Sequence, residues 1–160
     1  MPTPRSAADR AAALKLFVVL SRAHQALAAR ASRDVDPSGL SLTEFAVLEA
    51  LYHKGALTAG DVSRLVLMQS GSLTYVIDKL VKRRLMRRRR CAEDRRVTYL
   101  DLTVAGRSLL HRLWPGHAAA IAEAAGGLTL AEKRLAARLL KKLGLFAGND
   151  LREQSRGEKA

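Results

Sequence analysis

The arginine-rich segment at residues 83–103, RRLMRRRRCAEDRRVTYLDLT, places eight arginines in its first fourteen positions. An isolated run of like charge normally stays disordered, because repulsion and low hydrophobicity leave nothing to offset the entropy lost on ordering. This run instead lies in mid-chain between apolar periodic segments and continues into an alternating sequence typical of a strand. The chain must therefore fold around a segment whose charge calls for a polyanionic partner.

The whole chain is basic, with 28 Lys and Arg against 15 Asp and Glu and a net charge of +13. Residues 79–96 contribute ten basic and two acidic side chains, or +8, and the remainder contributes 18 minus 13, or +5. Such a charge indicates binding to nucleic acid or to an anionic membrane surface. The 160 residues, 48% of them hydrophobic, are enough for one domain or protomer with a core of its own.

Cysteine content and hydropathy restrict the class of protein further. The single cysteine, Cys91, excludes an internal disulfide and a cysteine-based zinc cluster, and it suits a reducing cytosol. The apolar stretch at 16–20 is too short to span a bilayer and runs directly into Arg22 and His24. We expect a cytoplasmic protein with no membrane segment and no cofactor.

The spacing of apolar residues predicts a mainly α-helical chain. Residues 7–31 form a long helix pattern that is apolar around most of its circumference, so a second subunit is the expected cover. After the break RDVDPSGLS, Ser41 and Glu44 have the spacing of a capping box, and so do Thr129 and Glu132 before the last helix. A second long helix begins after Thr103, and its Pro-Gly pair at 115–116 is expected to kink or interrupt it.

The middle of the chain reads as a helix-turn-helix followed by a β-hairpin. The short helix AGDVSRLV, capped by Thr58, precedes the amphipathic helix SGSLTYVIDKLVKRR after a tight connection. The segments LMRRRRC and RVTYLDLT then form two strands around the turn AEDR. This is a winged helix-turn-helix, which places its second helix in the major groove of DNA and its hairpin along the adjacent backbone, with the tip at the minor groove.

These elements resemble the multiple antibiotic resistance regulator (MarR) family through LSLTEFAVLEAL, LTAGDVSRLV and SGSLTYVIDKLVKRRLMRRRRCAEDRRVTYLDLTVAGR. The most specific part is the DRR wing tip at 94–96, followed by a strand, Leu-Thr at 102–103 and Gly-Arg at 106–107. The resemblance covers residues 10–147 and implies a homodimeric repressor whose first and last helices intertwine. It also implies double-stranded DNA with a pseudo-palindromic operator as the partner, and usually release by a small ligand.

The predicted organisation is therefore a mainly α, winged helix-turn-helix protomer with long terminal dimerisation helices. Residues 1–35 form the N-terminal dimerisation helix and 41–103 the DNA-binding region. Residues 104–147 form the C-terminal dimerisation helices, and 148–160 are expected to be a disordered tail.

The resemblance implies that Arg96 reads the minor groove of DNA. Asp94, two residues earlier, is placed to hold the Arg96 guanidinium by a bidentate pair. The alternative is that the two form only a salt bridge within the turn. The candidates for base contacts in the major groove lie at the start of the second helix: Ser70, Ser72, Thr74 and Tyr75. Ser70 can equally act only as the helix cap.

Basic residues around these positions are candidates for contacts to DNA phosphates. Strand alternation turns only half of the four consecutive arginines at 87–90 toward DNA, and the others cover the domain's own surface. The candidates are Arg64, Lys79, Arg83, Arg88, Arg90 and Arg95. The alternative for the helix candidates is a solvated surface role.

The resemblance also implies a ligand pocket between the dimerisation helices and the winged region, and three further residues are candidates for its lining. His24 and His53 offer polar groups and Trp114 an aromatic wall, and the effector is expected to be small, aromatic or anionic. The alternatives are hydrogen-bonded or exposed histidines and a tryptophan used in packing. The four histidines do not have the spacing of a helical metal site, so no metal is expected.

Two other functions remain open from the sequence. One is a sequence-tolerant architectural DNA-binding protein whose basic hairpin supplies most of the affinity. The other is a redox sensor, because the arginines beside Cys91 favour its thiolate, although the family's peroxide-sensing cysteine lies in the first helix, where this chain has none. The sequence contains no G-x-S-x-G elbow, phosphate loop or H-E-x-x-H motif, so we do not expect an enzyme.

Overall fold

The computed structural model of the chain describes residues 6–66, 70–94 and 96–157. Six helices and three strands follow one another in this part of the chain. They are α1 (Ala7–Val35), a 3-10 turn (Asp36–Ser38), α2 (Leu42–Lys54), β1 (Leu57–Thr58), α3 (Ala59–Val66), α4 (Ser70–Lys82), β2 (Met86–Arg90), β3 (Thr98–Leu102), α5 (Val104–Ala124) and α6 (Leu130–Gly157). The predicted order of helices and hairpin is confirmed. The chain forms two compact units, one ending at Ile121 and the other beginning at Ala122.

Helix boundaries follow the capping residues that the sequence indicates. The Ser41 hydroxyl accepts a hydrogen bond from the Glu44 N–H at 3.2 Å, and the Glu44 carboxylate accepts one from the Ser41 N–H at 2.7 Å. Gly55, with φ of +78°, ends α2 in a backbone conformation that glycine adopts without strain. Both predicted capping boxes are present, since Thr129 and Glu132 exchange the same pair of hydrogen bonds before α6.

The three strands form an antiparallel sheet in the order β1-β3-β2. Strands β2 and β3, with the turn between them, form the wing. In its register Met86 lies opposite Leu102 and Arg90 opposite Thr98. The sequence does not indicate β1, because a two-residue strand is too short to show any periodicity. By pairing Leu57 with Leu100, β1 ties the wing to the segment that leads into α3.

The core of the first unit lies between α2, α4 and the sheet. Its largest fully buried side chains include Phe45, Leu48 and Leu51 of α2 and Leu73 and Leu80 of α4, as the spacing predicts. The start of α5 lies very close to the Leu85 backbone. A Cβ added at Gly106 would be only 1.9 Å from the Leu85 carbonyl oxygen. A glycine is therefore required where α5 crosses the connection between α4 and β2.

Two expectations about helix ends need correction. Helix α5 runs without a break from Val104 to Ala124, so the predicted interruption at Pro115 is wrong, and Leu110 and His117 on either side are buried. Helix α6 continues through Gly157, where the sequence predicted a disordered tail from 148. The added turns contain Leu, Arg, Glu and Gln, which favour helix, and no proline. Residues 158–160 lie outside the described part of the chain.

Both terminal helices carry large apolar side chains in contact with water. On α1 these include Leu14 and Phe17, each 69% exposed, and on α6 they include Leu139 and Phe146. Exposed apolar side chains in such rows mark an interaction surface. None of the described helices is long and apolar enough to cross a membrane.

Candidate DNA-binding surface

Helix α4 presents a polar face because its apolar face is fixed in the core. Leu73, Val76, Ile77 and Leu80 are buried on one side. Ser72, Thr74 and Tyr75 lie exposed on the other, with Tyr75 71% accessible to water. Ser70 begins the helix, but its side chain lies outside the described residues. The start of α4 is therefore a polar, exposed surface, and its role in base contacts stays a prediction.

A buried carboxylate on α2 anchors the basic end of α4. Glu44, only 2% exposed, places Oε1 3.0 Å from Lys79 Nζ and 3.9 Å from Arg83 Nη1. Arg83 also donates a hydrogen bond of 2.8 Å to the Gly39 carbonyl. Burial opposes ionisation of Glu44, but hydrogen bonds from Ser41 and Lys79 outweigh it and hold the pKa of Glu44 below its ordinary value. The two predicted phosphate contacts thus also hold α4 against α2.

Replacing Glu44 by glutamine tests this anchor. Glutamine can complete the capping box, so Glu44→Gln removes mainly the charge facing Lys79 and Arg83, and we expect a loss of about 1–3 kcal/mol of unfolding free energy at pH 7. Because the folded pKa of Glu44 is lowered, its stabilisation is present at neutral pH and is lost as pH falls through that pKa. Urea unfolding should therefore show a difference from wild type that is largest at pH 7 and shrinks in acid.

The matched control for this experiment is Glu49→Gln on the same helix, which has no ion pair among the described residues. It should change the unfolding free energy by less than about 0.5 kcal/mol. A Glu44→Gln protein as stable as this control at pH 7 would mean that the anchor contributes nothing.

The four consecutive arginines of β2 divide between the two faces of the wing. Arg87 contacts Asp101 at 3.1 Å, and the Arg89 guanidinium lies 5.4 Å from the centre of the Tyr99 ring. Arg88 and Arg90 share the opposite face, the face on which Met86 is buried.

Arg88 reaches from the wing to α4. It donates a hydrogen bond of 2.6 Å to Asp78 on α4, whereas Arg90 lies exposed further along the strand. The predicted alternation is present, and the wing is joined to α4 by an ion pair that the sequence does not indicate.

The wing tip holds one arginine in a defined orientation. Asp94 accepts hydrogen bonds from the Arg96 backbone N–H at 2.9 Å, from its Nε at 3.2 Å and from its Nη2 at 3.3 Å. These bonds lower the pKa of Asp94, with the side chain of Arg96 as the main cause. Arg96 remains 91% exposed, so its guanidinium is oriented yet free to meet a partner. Arg95, the other candidate here, lies outside the described residues.

Substitutions in the wing test whether DNA binding depends on the orientation of Arg96 or only on the total positive charge. Arg96→Ala should weaken binding to the preferred DNA site by about 1–3 kcal/mol and by more than Arg89→Ala, which removes the same charge from the strand beside Tyr99. Asp94→Ala should also weaken binding, although it removes a negative charge near DNA. Fluorescence anisotropy at fixed salt measures all three. Equal small losses for the two arginine variants, or tighter binding by Asp94→Ala, would contradict a minor-groove role for Arg96.

Arg64 is held at the end of the short helix α3. It pairs with Asp61, whose carboxylate also accepts hydrogen bonds from the Thr58 hydroxyl and N–H. These bonds, the one from the Thr58 hydroxyl above all, lower the pKa of Asp61. The Thr58 hydroxyl in turn accepts from the Asp61 N–H, so the predicted cap of α3 is confirmed.

The candidate ligand residues are only partly brought together. His53 and Trp114 meet edge to face with ring centres 4.3 Å apart, whereas His24 lies exposed on α1. His117 lies next to this pair and is not indicated by any sequence pattern. It is buried, with Nδ1 3.0 Å from Asp34 Oδ2 and its ring 4.4 Å from that of Phe45. Asp34 is remote in sequence from His117, so no local pattern could have revealed the pair.

The remaining candidates for chemistry are Cys91 and possible metal ligands. Cys91 is half-buried at the end of β2, where its N–H donates a hydrogen bond to the Val97 carbonyl. Within residues 6–66, 70–94 and 96–157, no cluster of His, Cys, Asp and Glu is arranged to hold a metal ion.

A helix-turn-helix followed by a basic β-hairpin defines the class of winged helix-turn-helix DNA-binding proteins. The family model of the MarR family matches residues 40–98. The HTH-type transcriptional regulator MhqR of Bacillus subtilis (strain 168) is 42% identical over 134 residues, which are 84% of this chain and 92% of that relative. The chain belongs to the MarR family of transcriptional regulators, which act by binding DNA and not as enzymes.

Solved structures support the same assignment. Bordetella bronchiseptica BpsR is 29% identical with a TM-score of 0.73, and the match covers 81% of this chain and 98% of BpsR. AbsC, a MarR family regulator of Streptomyces coelicolor, has a TM-score of 0.78 at 18% identity, over 90% of this chain and 97% of AbsC, and shows the fold alone. The predicted fold and family are confirmed.

Proposed function

We propose that this regulator is a homodimeric repressor that binds a pseudo-palindromic operator and is released from it by a small ligand. The observation that carries the proposal is the wing tip, where Asp94 orients a 91% exposed Arg96 beside a basic strand. An oriented guanidinium suits reading of a narrow minor groove, while diffuse charge alone gives only non-specific binding.

The proposed contacts divide between the two grooves and the backbone. Ser70, Ser72, Thr74 and Tyr75 at the start of α4 meet base edges in the major groove, and Arg96 enters the minor groove, with Asp94 as its support. The phosphate contacts come from basic residues on either side: Arg64, Lys79, Arg83, Arg88, Arg90 and Arg95. Arg88, held by Asp78, sets the distance between wing and helix on the DNA.

Dimerisation is proposed to use the terminal helices. The rows of exposed apolar side chains on α1 and on α6 support this role. Their burial against a second subunit would contribute about 25 cal/mol of favourable free energy for each Å² of apolar surface removed from water. Residues 1–35 and 104–147 then form the dimerisation region, and 41–103 form the DNA-binding region.

Release by a ligand is supported by a relative. The structure of BpsR is described as explaining how 6-hydroxynicotinic acid regulates DNA binding by that protein. A ligand that prefers one spacing of the two recognition helices over the DNA-bound spacing shifts the dimer away from its operator. A hundredfold loss of affinity requires about 2.7 kcal/mol of coupling.

Selection from random-sequence DNA with the full-length protein tests this function. We expect a pseudo-palindrome whose half-sites lie about one helical turn, roughly 34 Å, apart, bound about a thousandfold or more tightly than bulk DNA. Light scattering at micromolar concentration should give twice the 17.4 kDa of one chain. A monomer that enriches no motif would contradict the proposal, and a dimer that enriches none would be a sequence-tolerant architectural protein.

A further inference from the structure

Helix α4 carries a single acidic side chain, Asp78, in the most basic part of the chain. Between Ser70 and Ala92 there are eight Lys and Arg and no other Asp or Glu. The neighbouring cation Lys79 pairs with the buried Glu44. A carboxylate on a surface that approaches DNA is repelled by the phosphates. Asp78 therefore weakens DNA binding unless it meets a group that donates a hydrogen bond.

Asp78 lies on the exposed face of α4. Val76 and Ile77 are buried on the other side of the helix, whereas the Asp78 side chain is 58% exposed. Asp78 follows Thr74 by four residues and Tyr75 by three, and side chains at these spacings are neighbours on a helix surface. The polar strip proposed to meet base edges in the major groove therefore continues to Asp78.

The ion pair with Arg88 occupies only one oxygen of the Asp78 carboxylate. Arg88 donates from Nη2 to Asp78 Oδ1 at 2.6 Å, and no described residue donates a hydrogen bond to Oδ2. The positive charge of Arg88 reduces the repulsion between Asp78 and phosphates. Asp78 Oδ2 is thus left as an acceptor on the exposed face of α4.

The four bases differ in what their major-groove edges offer to a carboxylate. Cytosine presents the N4 amino group, which is a donor, whereas guanine and thymine present the acceptors O6, N7 and O4. Adenine presents the N6 donor next to the N7 acceptor, which repels the second carboxylate oxygen. A carboxylate in the major groove therefore favours cytosine and disfavours the other three bases.

We infer that Asp78 is a specificity-determining residue, whose Oδ2 accepts a hydrogen bond from the N4 amino group of one cytosine in each half-site. Arg88, held at Oδ1, compensates the charge of Asp78 beside the DNA. This inference rests on the proposed function and adds an acidic base contact to the hydroxyl groups of α4. Asp78 acts as much by rejecting guanine and thymine as by binding cytosine, because specificity is a difference between affinities.

Selection from random-sequence duplex DNA with wild type, Asp78→Ala and Asp78→Asn tests this inference. Asp78→Ala should lose the preference for cytosine at one position of each half-site. It should also bind unselected duplexes of the same length at least as tightly as wild type, because a negative charge has been removed. Asp78→Asn should prefer adenine at that position, because the asparagine amide matches N6 and N7 of adenine.

Fluorescence anisotropy measures the size of the preference at fixed salt. Replacing the cytosine in the selected site, together with its paired guanine, should weaken wild-type binding by about tenfold, which corresponds to about 1.4 kcal/mol. The same replacement should change the affinity of Asp78→Ala by less than about twofold. A residue that only held the wing in place would not make affinity depend on this one base.

Two control variants separate base reading from the ion pair itself. Arg88→Ala breaks the same pair from the wing, so it should weaken binding to selected and unselected duplexes alike and keep the cytosine preference. Glu49→Gln removes one negative charge from α2 and should leave the selected motif unchanged. Circular dichroism shows whether each variant is folded, and Asp78→Asn, which keeps the side-chain shape, carries the test if the alanine variant is not.

Three results would overturn the inference: an unchanged motif in Asp78→Ala, equal weakening of selected and unselected DNA in that variant, or a cytosine preference that survives in Asp78→Asn. Each of them leaves the proposed function intact, because the wild-type protein still enriches its own motif. A wild-type protein that enriches no motif would remove the proposed function and this inference together.

Discussion

The basic side chains of the DNA-binding region are oriented by carboxylates of the same region. Glu44 faces Lys79 and Arg83, Asp78 faces Arg88, Asp101 faces Arg87, and Asp94 faces Arg96. Exposed pairs of this kind contribute little to stability, at most about 1 kcal/mol each, so their main effect is orientation. Glu44 differs because it is buried, and there the pair also fixes α4 against α2. The repulsion among the arginines is thereby reduced before any DNA is bound.

Local signals in the sequence were sufficient for most elements of the fold. The capping boxes at Ser41 and Thr129 and the apolar spacing of α4 each depend on residues three or four apart, and the structure confirms them. The pair of Asp94 and Arg96 was predictable for the same reason, because both lie in one turn. By contrast, β1 is too short to show a pattern, and the continuity of α5 through Pro115 goes against the local signal, because proline normally interrupts a helix.

The contacts that organise the site are mostly long-range, and the sequence therefore did not reveal them. Glu44 was predicted only as part of a cap, although it also meets Lys79, thirty-five residues later in the chain. Asp78 and Asp101 looked like ordinary surface residues until the wing register placed them beside Arg88 and Arg87.

We infer that these oriented arginines neutralise DNA phosphates. The most direct test is the salt dependence of DNA affinity for the 160-residue chain, measured by fluorescence anisotropy between about 50 and 300 mM potassium chloride. Each neutralised phosphate contributes about −0.9 to the slope of log K against log salt, so several contacts per subunit predict a slope steeper than about −5. A slope near −2 would show that the arginine-rich wing does not lie on the DNA backbone, and would contradict the account.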